Sequence, residues 1–283
     1  MKRSFTRFIG VDLGGGRGKT TAVAEIRAGT GPNPMAEVME VATRSGRSPW
    51  TDDTLIERLV PAAAHDTVIA IDAPLTQTAC ARCVRPSCPG MEACEDVAVA
   101  WLRTEGRALV RRVGEATGGG GSTISRPTLT AQARLAPYTH RATDVVMTYE
   151  RGLLPLSTLG TATSGIAARA GQIRRRLRAS GYELHANLLE VSPAATIAAL
   201  CDVRAARGYK RDADPWRTRA LILERLGDLT FHPRSRMARE DVLGNDHCFD
   251  AVMSAYTAFR WARDGWPGAE GCFVDDGWIV APP

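Results

Sequence analysis

Two short apolar runs in this 283-residue chain each stop at an aspartate, and that placement constrains the fold more than any other feature. Phe8-Ile9-Gly10-Val11 ends at Asp12, and Val68-Ile69-Ala70-Ile71 ends at Asp72. Further on, Leu188-Leu189 runs into Glu190. An Asp246/Asp250 pair, one helical turn apart and so on one face, opens a helix-like segment. An acidic group terminating a buried strand is costly unless something compensates it. Several such groups converging on one sheet edge would bind magnesium or manganese, which prefer hard oxygen ligands. Two ions about 3.5–4 Å apart can stabilise the attacking and leaving oxygens of an in-line displacement. The expected ligands are Asp12, Asp72, Glu190 and Asp250, with Asp246 able to take the place of Asp250. The plainer alternative is strand-end turns and helix caps, and Asn245-Asp246 is itself a good helix start.

The order of elements agrees with convergence. Residues 5–12 predict a strand, a glycine-rich turn follows at Gly14–Gly18, and Thr20–Ile26 returns as a hairpin. Ala36–Ala42 predicts a third strand, and Asp52/Asp53 cap a helix towards Ala64 that Pro61 interrupts. Val68–Ile71 is apolar throughout, as in a strand covered on both faces. Helices are expected near 92–113, 138–150 and 164–180, then a strand at 184–191 and a helix after Pro193. Two polar helical segments, the helix 246–263 and a tail at 277–280 complete the chain. Three strands, a helix, a strand, a large insertion, a strand and a final helix is the order of an RNase H-like fold. The expectation is therefore one α/β domain over residues 1–283, a mixed sheet flanked by helices, with a cysteine-bearing helical insertion at 76–182. In that fold the first strand lies beside the fourth, so Asp12 and Asp72 would emerge side by side.

Four of the seven cysteines crowd into fifteen residues as Cys80-x2-Cys83-x4-Cys88-x5-Cys94. In a reducing compartment that crowding reads as metal ligation, either zinc or an iron–sulfur cluster. Cys201, Cys248 and Cys272 stand apart and read as packing residues. The Gly14–Thr20 loop fails the Walker A pattern, because Leu13 stands where its first glycine belongs. We read it as a tight turn that lets a phosphate backbone approach Asp12, assisted by Lys19. A plain hairpin turn is the competing reading. His247, between the two late aspartates, could act as a base or position water, or stand idle on the surface.

Composition adds a softer argument. A net charge of +5 favours acidic partners such as nucleic acid. Only three of the 36 basic residues are lysine, so arginine enrichment from a GC-rich genome explains the charge equally well. The run Arg174-Arg175-Arg176 with Arg178 either tracks a phosphate backbone or forms a solvated helix face. No apolar run is long enough for a signal peptide or a membrane span, which points to the cytoplasm. Nothing in the sequence sets an oligomeric state.

Several segments together resemble a known family. They are Ile9-Gly10-Val11-Asp12, Ile69-Ala70-Ile71-Asp72-Ala73-Pro74, Pro137–Asp144, Leu189–Ala195 and Phe249-Asp250-Ala251. They are similar to the family called domain of unknown function 429, described as predicted nucleases of RNase H fold. The resemblance implies an acidic site of Asp12, Asp72, Glu190 and Asp250, with Arg141 nearby as a phosphate contact. This chain carries Asp144 where many relatives have Glu, and Ser192 where a tyrosine is common. The reading carried forward is a metal-dependent nuclease acting on phosphodiester bonds. Two others compete with it: a non-catalytic nucleic-acid-binding protein with a structural four-cysteine metal site, and an ATPase of the actin and sugar-kinase type. The last needs a second glycine loop, but Asp72 is followed by Ala73-Pro74-Leu75.

Overall fold

Alternation of side chains between the two faces of the first strands fixes which face each acid takes. The computed structural model describes residues 4–15, 20–60, 64–117, 135–154 and 164–283. Its main sheet has seven strands in the order β8-β3-β2-β1-β6-β7-β9. These are β1 (Arg7–Asp12), β2 (Ala22–Ala28), β3 (Ala36–Ala42), β6 (Thr67–Asp72), β7 (Leu188–Val191), β8 (Leu229–Phe231) and β9 (Ile279–Val280). A small hairpin, β4 (Arg44–Ser45) with β5 (Ser48–Pro49), stands outside it. β1 and β3 flank β2 antiparallel, and the remaining pairings are parallel. The architecture is thus a mixed, mostly parallel sheet between helical layers.

Each face of the sheet has its own core. Phe8, Ala24, Val38, Val68, Ala70 and Leu189 pack against the helix Asp246–Asp264 on one side. Ile9, Val11, Val23, Ile69, Ile71 and Leu188 pack against the helices Asp52–Leu59 and Ser164–Ala179 on the other. The helix Ser164–Ala179 therefore covers the sheet itself, although it lies inside the expected insertion. What projects beyond the sheet are two smaller clusters, one around Ala79, Ala98, Val99, Ala142 and Cys272, the other around Leu102, Leu109, Leu135 and Val145.

The long helix lies on the sheet at one point of backbone contact. A Cβ added at Gly10 would collide with the Ala251 carbonyl oxygen and the Ala255 nitrogen. Glycine on β1 and alanines on the helix allow this approach. Asn245 starts the helix by accepting hydrogen bonds from the His247 and Cys248 amides, and Gly265 ends it in the left-handed conformation.

Several elements differ from expectation. The helix near 52 is capped by Thr51 rather than by the aspartates, through a reciprocal pairing with Thr54. The stretch expected as one helix near 92–113 begins only at Val97. It widens to π geometry over Leu102–Gly106, then continues as Arg107–Thr117. The strand expected at 184–191 is short, because Leu184 makes only an isolated bridge before a turn that leads to Leu188. β8, β9 and the short helix Arg239–Gly244 carry too little periodic pattern to be read in advance. Pro61, Gly16–Lys19 and Gly118–Gly121 lie outside the described residues. Among the described residues no helix is long and apolar enough to cross a membrane.

A buried ionic knot ties β1, β2 and the Asp52–Leu59 helix together. Glu25 Oε2 accepts from Arg7 and from Arg58, each at 2.7 Å, and Oε1 accepts from Arg27 at 3.1 Å. Burial pushes the Glu25 carboxyl up, but hydrogen bonds and charge from Arg7 and Arg58 outweigh it and hold it at about 2.

Both packing features are open to mutation. Gly10→Ala should lower stability by about 1–3 kcal/mol through overpacking, read as a drop in the urea midpoint. Glu25→Gln should cost about 3–5 kcal/mol at neutral pH, because it breaks a buried pair. Since the folded carboxyl is depressed, its contribution is full above its unfolded value near 4.5 and fades as pH falls towards 2. Wild type and variant should therefore converge in unfolding experiments across that acid window.

Candidate functional site

Asp12 and Asp72 are register partners at the carboxyl ends of adjacent parallel strands. Both follow a residue that faces the Ser164–Ala179 helix, so both turn to the opposite face, where the long helix runs. Asp250 comes from the second turn of that helix and is fully buried. Oxygens of Asp12, Asp72 and Asp250 all lie within 4.8 Å of one another, the only such trio of potential metal ligands among the described residues.

Charge in this corner is poorly compensated. Burial, then the charges of Asp250 and Asp12, raise the Asp72 carboxyl well above its usual range, against a smaller opposing effect of Lys210. Burial likewise pushes Asp250 up to about 7, although Lys210 pulls the other way. The Lys210 ammonium forms an ion pair with Asp250 Oδ2. Even so, neither Asp250 oxygen meets a donor in regular hydrogen-bond geometry. His247 Nδ1 lies 2.5 Å from Asp12 Oδ2, and that hydrogen bond raises the imidazole's proton affinity despite its partial burial. Three clustered carboxylates, with both oxygens of the buried Asp250 lacking a regular hydrogen bond, make a donor set that fits a hard divalent cation.

Glu190 does not join the trio, and alternation explains why. Its parallel partner on β6 is Ile71, one residue before Asp72, so Glu190 points to the opposite face. Its Oε1 accepts from Arg141 Nη2 at 2.8 Å, and its Oε2 accepts from Arg141 Nη1 at 2.9 Å and the Leu75 amide at 2.8 Å. Arg141 is itself fully buried and also bonds Asp144 and Thr76. A guanidinium so enclosed has no donor left for phosphate, so Arg141 positions Glu190 and the loop after Asp72. Arg174 pins the same loop by donating to the Leu75 carbonyl at 3.0 Å.

The other expected residues fall as follows. Asp246 is partly exposed in the first helical turn, outside the trio, near enough to act on His247. Lys19 lies outside the described residues, but the start of its loop is fixed. The Gly14 amide donates to Thr21 Oγ1 at 3.1 Å, and Arg169 donates to the Gly14 carbonyl, Thr21 and Asp52. Of the arginine run, Arg176 pairs with Asp53 and Arg178 with Glu183, as a solvated helix face would. Cys80, Cys83 and Cys88 are exposed and Cys94 is partly so. No three of these thiols come within 4.8 Å of one another.

Sequence reasoning missed Lys210 and Tyr209. Tyr209 stacks at a tilt on Phe249 with ring centroids 5.6 Å apart, and its hydroxyl is affected first by burial and then by Asp250, both raising its proton affinity. Arg219 ties this pair to the short helix Arg239–Gly244, just ahead of the long one, by donating to the Tyr209 and Leu243 carbonyls. One signal was available: Lys210 is a rare lysine in an arginine-rich chain.

The raised carboxyls set a pH dependence. Asp250 folded, at about 7, holds a proton that the unfolded chain releases near 3.8. The folded state thus binds the extra proton between those values, and stability falls as pH rises through that window. In chelator, Asp250→Asn should melt higher than wild type, by a margin that grows from about pH 4 to about pH 7 and then levels. Each kcal/mol relieved corresponds to roughly 2–4 °C in a domain of this size, measurable by thermal unfolding at stepped pH.

No curated protein and no solved structure matches this chain. A family model described as "Protein of unknown function (DUF429)" matches residues 10–276, nearly the whole length. Gly10, the three clustered aspartates, Arg141 and Glu190 all fall inside that match, and the chain belongs to this family.

Proposed function

We propose that this protein is a metal-dependent nuclease of RNase H-like fold that hydrolyses phosphodiester bonds at Asp12, Asp72 and Asp250. The observation that carries the proposal is the convergence of these three carboxylates within 4.8 Å at the end of adjacent parallel strands. The central strand order β3-β2-β1-β6-β7, with β2 antiparallel, supports the RNase H-like reading. The arrangement leaves excess negative charge in a largely buried corner, which a cation relieves more fully than Lys210 does. Magnesium or manganese held there would activate water and stabilise charge on the departing oxygen.

The chain's own residues supply the rest. Asp12, less buried than Asp250, faces His247, whose ring is about two-fifths exposed. That imidazole can exchange a proton between the site and solvent. Lys210 stands at the rim with its ammonium partly exposed, placed to meet a phosphate oxygen once it leaves Asp250. Glu190 and Arg141 sit behind the site and hold the Asp72 loop still. The net charge of +5 leans towards a nucleic-acid substrate.

The test is cleavage of labelled single-stranded, duplex and hybrid nucleic acids, with magnesium, manganese or chelator. Wild type should cut at least one class only with metal, and Asp12→Asn and Asp72→Asn should fall to background while keeping their fold. Absence of cutting on every substrate, with nucleic-acid binding unchanged by either substitution, would sink the nuclease and favour a binding protein.

A further inference from the structure

The segment carrying the four clustered cysteines has no core of its own, and only Met91 and Cys94 pack, partly buried, against neighbouring apolar clusters. From Cys80 to Val97 no residue is buried, and Val84 is 95% exposed. Its regular structure is a single 3-10 turn, Met91–Ala93. It is tethered by arginines. Arg82 donates to the Gln77 carbonyl at 3.1 Å and to the buried Asp276 at 2.7 Å. Arg103 donates to the carbonyls of Met91, Glu92 and Cys94 at 3.0, 2.6 and 3.3 Å. Arg85 pairs with Glu95 at 3.1 Å, at an exposed site where such pairs add little. These contacts hold the ends of the segment and leave Cys83–Gly90 without a core contact. Coreless segments of this size are commonly held by a disulfide or a structural metal.

We propose that Cys80, Cys83, Cys88 and Cys94 bind one zinc ion as a tetrathiolate site that folds the Cys80–Val97 segment. The opening C-x2-C has the spacing of structural zinc ligands, and it is shaped as a turn in which the Cys83 amide donates to the Cys80 carbonyl at 3.4 Å. Zinc at four thiolates carries a net charge of about −2; Arg82 and Arg85 already pair with Asp276 and Glu95, and Arg103, which donates to three carbonyls of the segment, is the cation placed to offset it. Three of the four sulfurs are exposed with no apolar shell. Such a setting suits redox-inert zinc better than an iron–sulfur cluster, whose potential depends on its exposure. Since the sulfurs now stand wider apart than ligands of one ion, binding draws the loop inward.

The site also has a line to the acidic trio. Arg82, between two of the cysteines, pairs with Asp276, and Asp276 accepts the Ala142 amide next to Arg141. Fixing the loop thereby fixes the anchor of the Arg141–Glu190 pair. The zinc reading nevertheless stands without the nuclease reading.

The test uses the full chain. Zinc analysis after purification without chelator should give one ion per chain, retained in Asp12→Asn and lost in Cys83→Ser/Cys88→Ser, with Cys201→Ser as the neutral control. Cobalt added to metal-stripped wild type should give thiolate-to-cobalt charge transfer and tetrahedral bands that zinc bleaches. Zinc should slow tryptic cleavage after Arg82. Because the cobalt titration uses wild type, a variant that fails to fold does not blunt it. Absent cobalt bands, zinc lost in Asp12→Asn, or iron with sulfide in the purified protein would each overturn the proposal.

Discussion

The contact of Gly10 with Ala251 and Ala255 is the constraint from which the rest of the site follows. A strand and a helix normally stand apart by the depth of their side chains. Here the glycine brings the helix backbone against the strand. Asp12 lies two residues beyond Gly10 on the same face, and Asp250 directly precedes Ala251, so the contact that seats the helix also sets the distance between the two carboxylates. The β1–β6 register then adds Asp72 without further adjustment. Geometry of the trio is thus fixed by backbone, which fluctuates less than rotamers do.

Two acidic groups near this edge have opposite fates, and the difference is one of partners. Glu190 is buried with a guanidinium that meets both its oxygens, and the Leu75 amide takes a remaining lone pair. Such a group is satisfied and has little to offer a ligand. Asp250 is equally buried but faces only the Lys210 ammonium and the Tyr209 hydroxyl, neither in regular hydrogen-bond geometry. Satisfied charges hold a fold, whereas under-satisfied ones mark where the fold leaves room for something else. By this criterion the candidate functional corner is Asp12, Asp72 and Asp250, and Glu190 belongs to its support.

Much of this was legible in the sequence, and the misses have physical reasons. Apolar runs ending in Asp12 and Asp72 identified both strands, because a strand covered on both faces must be apolar throughout. The long helix was readable from Asn245 and its apolar length. Glu190 was misplaced because a strand's face depends on register, and Leu188-Leu189-Glu190 carries no mark of whether Ile71 or Asp72 will be its partner. Arg141 resembled a phosphate contact because burial of a guanidinium cannot be seen without the carboxylates that enclose it. Lys210 and Tyr209 come from a distant, polar segment, and only the tertiary fold brings them to the trio.

The trio also reveals what the fold tolerates for its sake. A chain selected for stability alone would replace Asp250 with an apolar residue, since a buried, unsatisfied carboxylate works against folding. Instead the helix keeps it in the middle of a run of buried Cys248, Phe249, Ala251 and Val252. Lys210 softens the cost without abolishing it, and because the lysine is partly exposed its long side chain has room to move away from Asp250. Local strain of this kind persists only where the surrounding structure over-determines it. Here the over-determination is visible: Gly10 seats the helix, Asn245 sets its first turn, Arg219 tethers Tyr209 next to Lys210, and Arg141 with Glu190 braces the Asp72 loop. Four separate supports converge on one electrostatically unfavourable point, and that convergence is the strongest physical reason to regard the point as the working part of the molecule.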